Sequence, residues 1–387
     1  MKDKYFEYYT LSSEELPSFW KDCLLVLDTN ILLNLYRLTE STRNDILNIL
    51  KKFNDKLWMP FQVGFEYHEN REGVIESISD KKLKDHVYKT FESLNNTFKT
   101  NHSRNPYITI DAWEKKIHKE TDSFEKFIKT KYKEAPLFAE QDDILIALNK
   151  LFSGKVGDNP TKAELQRIYD EGKNRYASKI PPGYKDDPEK KGKGERHLYG
   201  DLIIWKEIIE KARVEKKNVF FVSDDRKEDW VRIINGEKKG PRRELLREFY
   251  DETNGQRVVI LNQQQFIDFI HNLPEFSIKP KTLKEIEAIQ TLADTQSFMF
   301  GQDVSTIVDY LNRNKFGINP SYHQFLQALD FFNTEKIRSI LERTENSANT
   351  SSFITRIQEP EDNPGGEELL QEEEDISISS KTEEESV

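Results

Sequence analysis

The sequence contains a single cysteine, Cys23, among its 387 residues. One cysteine excludes disulfide bonds within the chain and zinc sites built from several cysteines. The seven histidines form no spaced set of metal ligands either. These absences favour a protein of a reducing compartment, and we expect it to be cytoplasmic.

Long apolar runs are also missing. No stretch reaches the roughly 18 residues that a membrane-spanning helix needs. The start of the chain, MKDKYFEYYT, lacks the apolar core of a signal peptide. We therefore expect a soluble protein with no membrane partner.

Negative charge is concentrated at one end of the chain. The formal net charge is −11, and residues 359–387 alone carry that charge, with twelve acidic residues and one basic residue. Residues 1–358 therefore sum to zero, and the low isoelectric point of about 5.4 does not argue against a nucleic-acid partner. The tail, residues 347–387, is rich in Glu and Ser and is predicted to be disordered.

Strand and helix patterns alternate along residues 1–274, which we expect to form the main domain. Short apolar runs, LLVL, KLWMP, NVFFVS and RVVIL, indicate strands, and helical spacing separates them. This alternation predicts an α/β fold of three layers, with a central parallel sheet covered on both faces. Residues 81–196 are predicted to be a large, mainly helical insert that ends in a long loop, and residues 275–346 a small helical appendage.

Acidic side chains lie where several of these elements meet. Asp28 ends the first strand, and Asp224 and Asp225 follow the strand NVFFVS. Glu66 lies in the first turns of the helix after the second strand, and Asp201 opens the helix DLIIW. Because parallel sheets bind ligands at the carboxyl ends of their strands, we expect these acids at one rim of the sheet.

Carboxylates on one rim repel each other and raise one another's pKa values unless a cation compensates. Mg²⁺ or Mn²⁺, as one or two ions, suits such oxygen ligands. Two ions about 4 Å apart hold both the attacking and the leaving oxygen of a phosphodiester. Taken singly, each acid has an ordinary alternative as a helix cap, a first-turn acid or a solvated position.

Basic residues lie close to these acids in the sequence. Positive side chains beside a carboxylate rim grip phosphates on either side of the cleaved bond. The candidates for substrate binding are Arg37, Arg71, Lys185, Arg226, Lys227 and Arg242. The alternative for each is a solvated helix position or a pair with a nearby acid.

Five blocks of the sequence resemble a group of bacterial PIN-like domains: VLDTNILLNLYR, WMPFQVGFEYHENR, PPGYKD, YGDLIIW and FVSDDRKEDW. The resemblance spans residues 20–272 and implies a metal-dependent nuclease with a central parallel sheet. By position, it implies catalytic, metal-binding acids at Asp28, Glu66, Asp201 and Asp225, a second ligand at Asp224, and supporting residues at Asn30 and Ser223.

The function that this resemblance implies is an endonuclease, with RNA favoured over DNA and a toxin-like or anti-phage defence role as one setting. The long insert between Glu66 and Asp201 is expected to shape substrate access. A catalytically inactive PIN-like scaffold that binds nucleic acid or protein is the main alternative, and the C-terminal helical region is a candidate site for a protein partner. An aspartyl-phosphate enzyme is a third, but such enzymes usually carry a second Asp two residues after the nucleophile, and here that residue is Asn30.

Overall fold

The computed structural model of the chain describes residues 1–301, except residues 3, 10, 13, 14, 134–137, 139, 186–191 and 236. For residues 292–301 it describes the backbone only. The predicted disordered tail, residues 347–387, lies outside the described residues, as do residues 302–346 of the predicted appendage and the middle of the predicted loop 178–196.

A four-stranded parallel sheet forms the centre of the fold. Its strands are β1 (Cys23–Leu27), β2 (Leu57–Trp58), β3 (Asn218–Val222) and β6 (Val258–Leu261), in the order β2-β1-β3-β6. Leu27 is in register with Val222, and Val222 with Leu261, so these three strands end at the same level. The arrangement confirms the predicted α/β class with a central parallel sheet.

Apolar side chains fill the two central strands. Every residue of β1 is buried, as is every residue of β3 after Asn218. Such continuous apolar runs are typical of parallel strands that are covered on both faces. The rim at their carboxyl ends is therefore the first place along either strand where a charged side chain is found.

Helices cover the sheet, and none of those described is long and apolar enough to cross a membrane. Their bounds are α1 Glu15–Lys21, α2 Thr29–Asn34, α3 Glu40–Lys52, α4 Phe61–Ser77, α5 Asp80–His102, α6 Ile110–Tyr132, α7 Asp143–Leu151, α8 Lys162–Ala177, α9 Glu195–Leu198, α10 Gly200–Glu215, α11 Arg243–Glu252, α12 Gln263–His271 and α13 Pro280–Gly301. Two short 3₁₀ helices, Phe6–Tyr8 and Leu35–Arg37, complete them.

The helical insert begins with an antiparallel pair, α5 and α6, which we name the arm (residues 80–132). The chain turns between them at residues 103–109. The Phe98 ring stacks on Trp113 with 4.4 Å between the ring centroids. No residue of α5 is buried and only Ile128 of α6 is, so the arm is largely exposed to solvent.

An antiparallel hairpin, β4 (Val231–Ile234) with β5 (Glu237–Pro241), was not predicted. Its second strand reads EKKGP and lacks the alternation of apolar residues by which strands are recognised. The signal that we overlooked is the pair Asn235 and Gly236, which favours a tight hairpin turn. Asn235 adopts a positive φ of 52° there.

A buried ion pair joins the insert to the main sheet layer. The two terminal guanidinium nitrogens of Arg175 donate to the Glu248 carboxylate of α11, at 2.6 and 2.8 Å. Trp205 donates its indole N–H to the same carboxylate at 3.0 Å. Arg175 also donates to the carbonyl of Pro181. Burial opposes the ionisation of Glu248, but the hydrogen bonds and charge of Arg175 hold its pKa below the ordinary value. This contact fixes the start of the PPGYKD segment.

We predict that Glu248→Ala lowers the free energy of unfolding by about 3 kcal/mol, because Arg175, only 7% exposed, would lose its main counter-charge. The folded-state pKa of Glu248 is lowered, so the stabilisation is present above the unfolded-state pKa of about 4.3 and is lost as the pH falls through the folded-state value. Urea unfolding at several pH values measures both effects. The matched control is Glu210→Ala, which removes an exposed Arg–Glu pair with Arg213 and is expected to change stability little. Equal effects of the two substitutions would contradict the prediction.

Candidate active site

Asp28 stands at the end of β1 and begins α2. Its Oδ1 accepts the backbone N–H of Thr29 at 2.7 Å. Its Oδ2 accepts the Asn30 side-chain amide at 2.6 Å and the Ser223 hydroxyl at 2.5 Å. Since Leu27 and Val222 are in register, the residues that follow β1 and β3 meet directly. The carboxylate is thereby held by donors from the segments that follow both central strands.

Glu66 lies one and a half turns into α4 and faces the same rim. Its Oε2 accepts the Thr29 hydroxyl at 3.1 Å, and its Oε1 accepts the amide of the fully buried Gln62 at 2.9 Å. A Cβ atom on Gly200 would lie 2.3 Å from Oε1 of Glu66. Glycine at position 200 therefore makes room for this carboxylate beside the start of α10.

Asp201 lies in the first turn of α10, directly after Gly200. Its Oδ2 accepts the indole N–H of Trp230 at 3.1 Å. A Cβ atom on Gly183, in the PPGYKD segment, would lie 3.1 Å from Cβ of Asp201, and Gly183 has a positive φ of 91°. The segment therefore passes directly over Asp201.

Asp225 follows β3 in the turn SDD. The Ser223 hydroxyl accepts the Asp225 backbone N–H at 3.1 Å and donates its own hydrogen to Asp28, so one serine links two acids. The Asp225 carboxylate accepts the Lys227 backbone N–H at 2.9 Å and lies 3.3 Å from the Lys227 ammonium. Lys227 thus places a positive charge against Asp225.

Asp224, the other acid of the turn, bonds on a different side. Its Oδ1 accepts the backbone N–H of Gln263 at the start of α12, at 2.9 Å, and its Oδ2 accepts the amide of Asn34 at 3.0 Å. Its own N–H donates to Oδ1 of Asn30 at 3.0 Å. These contacts give Asp224 a positioning role between α2 and α12, and its service as a second metal ligand stays a prediction.

The electrostatics of the rim follow from this convergence. Burial, with the charges of Asp201, Glu66 and Asp225, raises the pKa of Asp28 to about 8 against the hydrogen bond from Ser223. Burial and the charge of Asp201 raise the pKa of Asp225 to about 6, although Lys227 opposes this shift. The four acids predicted to act together are therefore within electrostatic range of one another.

Several of the predicted substrate-binding residues are engaged in ion pairs. Arg71 binds Asp142, which also accepts the Tyr36 hydroxyl at 2.7 Å. Arg242 forms a bidentate ion pair with Glu244, in which Nη2 donates at 2.7 Å and Nε at 3.2 Å. Both arginines thus pair with acids, and their role in substrate binding stays a prediction.

The remaining candidates differ in their surroundings. Lys185 pairs with Glu228 at 2.8 Å, yet both side chains are about half exposed. Arg226 donates to the carbonyl of Gln290 in α13 at 3.2 Å. Arg37 is exposed and donates to Asn34, which in turn holds Asp224.

Residues that sequence reasoning missed support the predicted acids. Thr29 and Gln62 bind Glu66, and Trp230 binds Asp201. Arg196 donates to Oε1 of Gln62 at 2.9 Å and so orients the amide that donates to Glu66. No regular spacing in the sequence indicates these contacts, although each residue lies within or beside one of the five blocks.

The rim offers oxygen ligands from four separate elements, which is the donor set that a hard divalent cation prefers. The side chains as they stand do not form a closed site: the described part of the chain contains no group of three or more His, Cys, Asp or Glu side chains arranged to hold a metal ion. Burial first, and then the charges of the neighbouring acids, raise the pKa values of Asp28 and Asp225, and a bound cation would oppose both effects.

The fold is a parallel α/β domain in which acidic side chains converge at the carboxyl ends of the strands. In folds of this class, ligands bind at that edge of the sheet. In comparisons with known proteins, the model of a PIN-like domain family matches residues 24–245, more than half of the chain. The chain therefore belongs to the PIN-like domain family, whose fold is generally that of a nuclease. No curated protein and no solved structure gave a match.

We predict that Gly200→Ala displaces the Glu66 carboxylate at little cost in stability, because the added Cβ meets the end of a flexible side chain. Full-length protein titrated with Mn²⁺ in a calorimeter should bind the ion about tenfold more weakly, since Glu66 would no longer be held in place. The matched control is Gly73→Ala in α4, where a Cβ atom meets nothing within 4 Å. Equal Mn²⁺ affinities of the two variants would show that the close approach of Gly200 to Glu66 does not affect cation binding.

Proposed function

We propose that this protein is a divalent-cation-dependent endonuclease that hydrolyses phosphodiester bonds, with RNA as its preferred substrate. The observation that carries the proposal is the convergence of Asp28, Glu66, Asp201 and Asp225, in which burial and mutual repulsion raise the pKa of Asp28 to about 8. Repulsion among these carboxylates destabilises the folded protein, and a bound divalent cation would relieve it. Membership of the PIN-like family supports the same chemistry.

In this proposal, Asp28, Glu66, Asp201 and Asp225 hold one or two Mg²⁺ or Mn²⁺ ions. When bound, the cation supplies charge neutralisation at the phosphodiester and lowers the pKa of the attacking water. Asn30, Ser223 and Thr29 keep the carboxylate oxygens of Asp28 and Glu66 in fixed positions before substrate arrives. Fixed donors of this kind need no reorganisation at the moment of reaction.

The arm supports a nucleic-acid substrate. Residues 80–132 contain twelve basic and eight acidic residues, an excess of positive charge in a body that is otherwise neutral or negative. Tyr107, at its turn, is 93% exposed. Exposed aromatic rings with nearby cations suit unpaired bases of a single strand, which is the form in which RNA is usually recognised. A toxin-like or defence role belongs to this proposal on the family resemblance.

A catalytically inactive scaffold is the second candidate, and one observation favours it. Lys227 pairs with Asp225 at 3.3 Å and supplies part of the positive charge that a cation would bring. In a scaffold, this pair would be permanent. In a nuclease, the ammonium would move to a phosphate when the cation binds.

We predict that Asp28→Asn and Asp201→Asn each abolish cleavage while the protein stays folded. Removing one ligand charge weakens a site made only of oxygen ligands, and it also reduces repulsion among buried acids. The assay incubates full-length protein with end-labelled RNA and DNA panels in Mg²⁺, Mn²⁺ and EDTA. The control is Asp251→Asn, an exposed acid on α11, which should cleave as the wild type does.

The outcomes separate the candidates. Cleavage by the wild type that EDTA stops, and that both site variants lack, supports the nuclease. Cleavage at wild-type rate by either site variant under saturating Mg²⁺ would show that the acid rim is not the reaction centre. Binding of RNA without cleavage under every cation tested would favour the scaffold.

A further inference from the structure

A cavity of about 840 Å³ lies beside β6, the strand at one end of the sheet, and we name it the edge cavity. All four residues of β6 line it, and so do Leu246 of α11, Phe269 of α12 and Phe6 near the start of the chain. Its volume is within the range of about 300–1,000 Å³ that is usual for pockets that bind small molecules.

The strand beside this cavity is less covered than the inner strands. Every residue of β1 is buried, whereas in β6 only Val258 is buried and the three residues after it are partly exposed. An edge strand also leaves backbone N–H and C=O groups without partners in the sheet. The wall that β6 forms is therefore apolar and accessible to a ligand.

The edge cavity reaches the acid rim. Ser223 and Asp225 line it together with β6. Val222 is in register with Leu261, so the chain leaves β3 and β6 at the same level, and the Ser223 hydroxyl donates to Asp28 at 2.5 Å. A ligand in the edge cavity would therefore lie beside the carboxylates of the proposed reaction centre.

Positive side chains lie at both ends of the edge cavity. Arg226 follows Asp225 at the rim, and Arg257 lies directly before β6, whose four residues span about 13 Å. Lys238 of the hairpin adds a third cation, and the acids among the described lining residues are Asp225 and Asp268. Cations spread over such a distance suit successive phosphates of a strand better than one small anion.

Aromatic and amide side chains complete the lining. Tyr9 lines the edge cavity and is 41% exposed, and an accessible aromatic ring suits the stacking of unpaired bases. Amides donate and accept hydrogen bonds, as the edges of bases do. The amide side chains of the lining are Asn262, Gln265, Asn272 and Gln290.

An extended peptide is the other ligand that an open edge strand suits, since it pairs with the strand through its backbone. Such pairing needs neither the acid rim nor cations at both ends of β6. The position of Ser223 and Asp225 in the wall and the charges of Arg226 and Arg257 favour a polyanion.

We propose that the edge cavity is a nucleotide-binding subsite, which takes the bases next to the cleaved phosphodiester of a single-stranded RNA. The inference rests on the proposed function and adds a substrate subsite to it. Arg226 and Arg257 bind phosphates of this strand, and Tyr9 stacks on one of its bases.

The test measures binding of a short, end-labelled single-stranded RNA to full-length protein in EDTA, where cation-dependent cleavage does not occur. Tyr9→Leu removes the stacking ring and is expected to weaken RNA binding about tenfold. The matched control is Tyr5→Leu, which changes a tyrosine of the same segment that is 52% exposed and is not among the lining residues. This control should bind RNA within about twofold of the wild type.

A second pair of variants tests the phosphate contacts. Arg257→Gln should weaken RNA binding and lower the slope of log affinity against log salt by about 0.7, because one phosphate contact is lost. Arg213→Gln, which removes an exposed cation paired with Glu210, should leave the slope unchanged. In the wild type, RNA should slow the hydrogen exchange of residues 257–262.

Wild-type RNA affinity in both Tyr9→Leu and Arg257→Gln, the result that a peptide site would give, would overturn the inference. Slower exchange in the arm without slower exchange in residues 257–262 would overturn it as well. Because binding is measured without a cation, the result is separate from cleavage. If the wild type cleaves RNA in Mg²⁺ while both cavity variants bind normally, only the subsite fails. If RNA binds at the edge cavity and no cation supports cleavage, the nuclease fails and the cavity is the RNA site of a scaffold.

Discussion

Repulsion among the acids at the carboxyl ends of β1 and β3 is the constraint on which the rest of the site depends. The buried strands leave the first charged side chains at their ends, and the parallel register brings those ends together. Each acid is then held by donors from a different part of the chain: Asp28 by Ser223, Glu66 by Thr29, and Asp201 by Trp230. Consequently, the bonds that restrain the charges also join the helices to the sheet.

Hydrogen bonds and ring contacts from α10 and Arg196 also position α4, the helix that carries Glu66. Glu207 of α10 accepts the backbone N–H of Gln62 in the first turn of α4, at 3.2 Å, and burial raises its pKa to about 7. Arg196 lies over the Phe65 ring at 4.2 Å while it orients the Gln62 amide. The start of α4 is thus fixed from two sides, and Glu66 projects from a helix that has little freedom to move. A carboxylate on a restrained helix suits a site that must be formed before a ligand arrives.

The apolar strands, the arm and the acids that follow strands could be predicted because each depends on local periodicity or on the direction of the sheet. The partners of charged side chains could not. Arg71 looked available until the fold brought Asp142 to it, and no pattern links the two positions. The hydrogen bond from the Gln263 N–H to Asp224 joins positions that no sequence pattern links either. Asp229 was hidden within a charged run, where sequence alone gives no sign that one member is fully buried.

A rim that concentrates negative charge attracts cations and repels phosphodiesters, so substrate must be attracted by other parts of the surface. Arg71 and Arg242, two of the predicted substrate-binding residues, each form an ion pair with an acid in this structure. The arm has the remaining excess of positive charge, and its side chains are mostly solvated, where their attraction extends about 8–10 Å at physiological ionic strength. Under the proposed function, the arm supplies the attraction for the polyanion, and a cation at the rim reverses the local charge where the phosphates meet the acids.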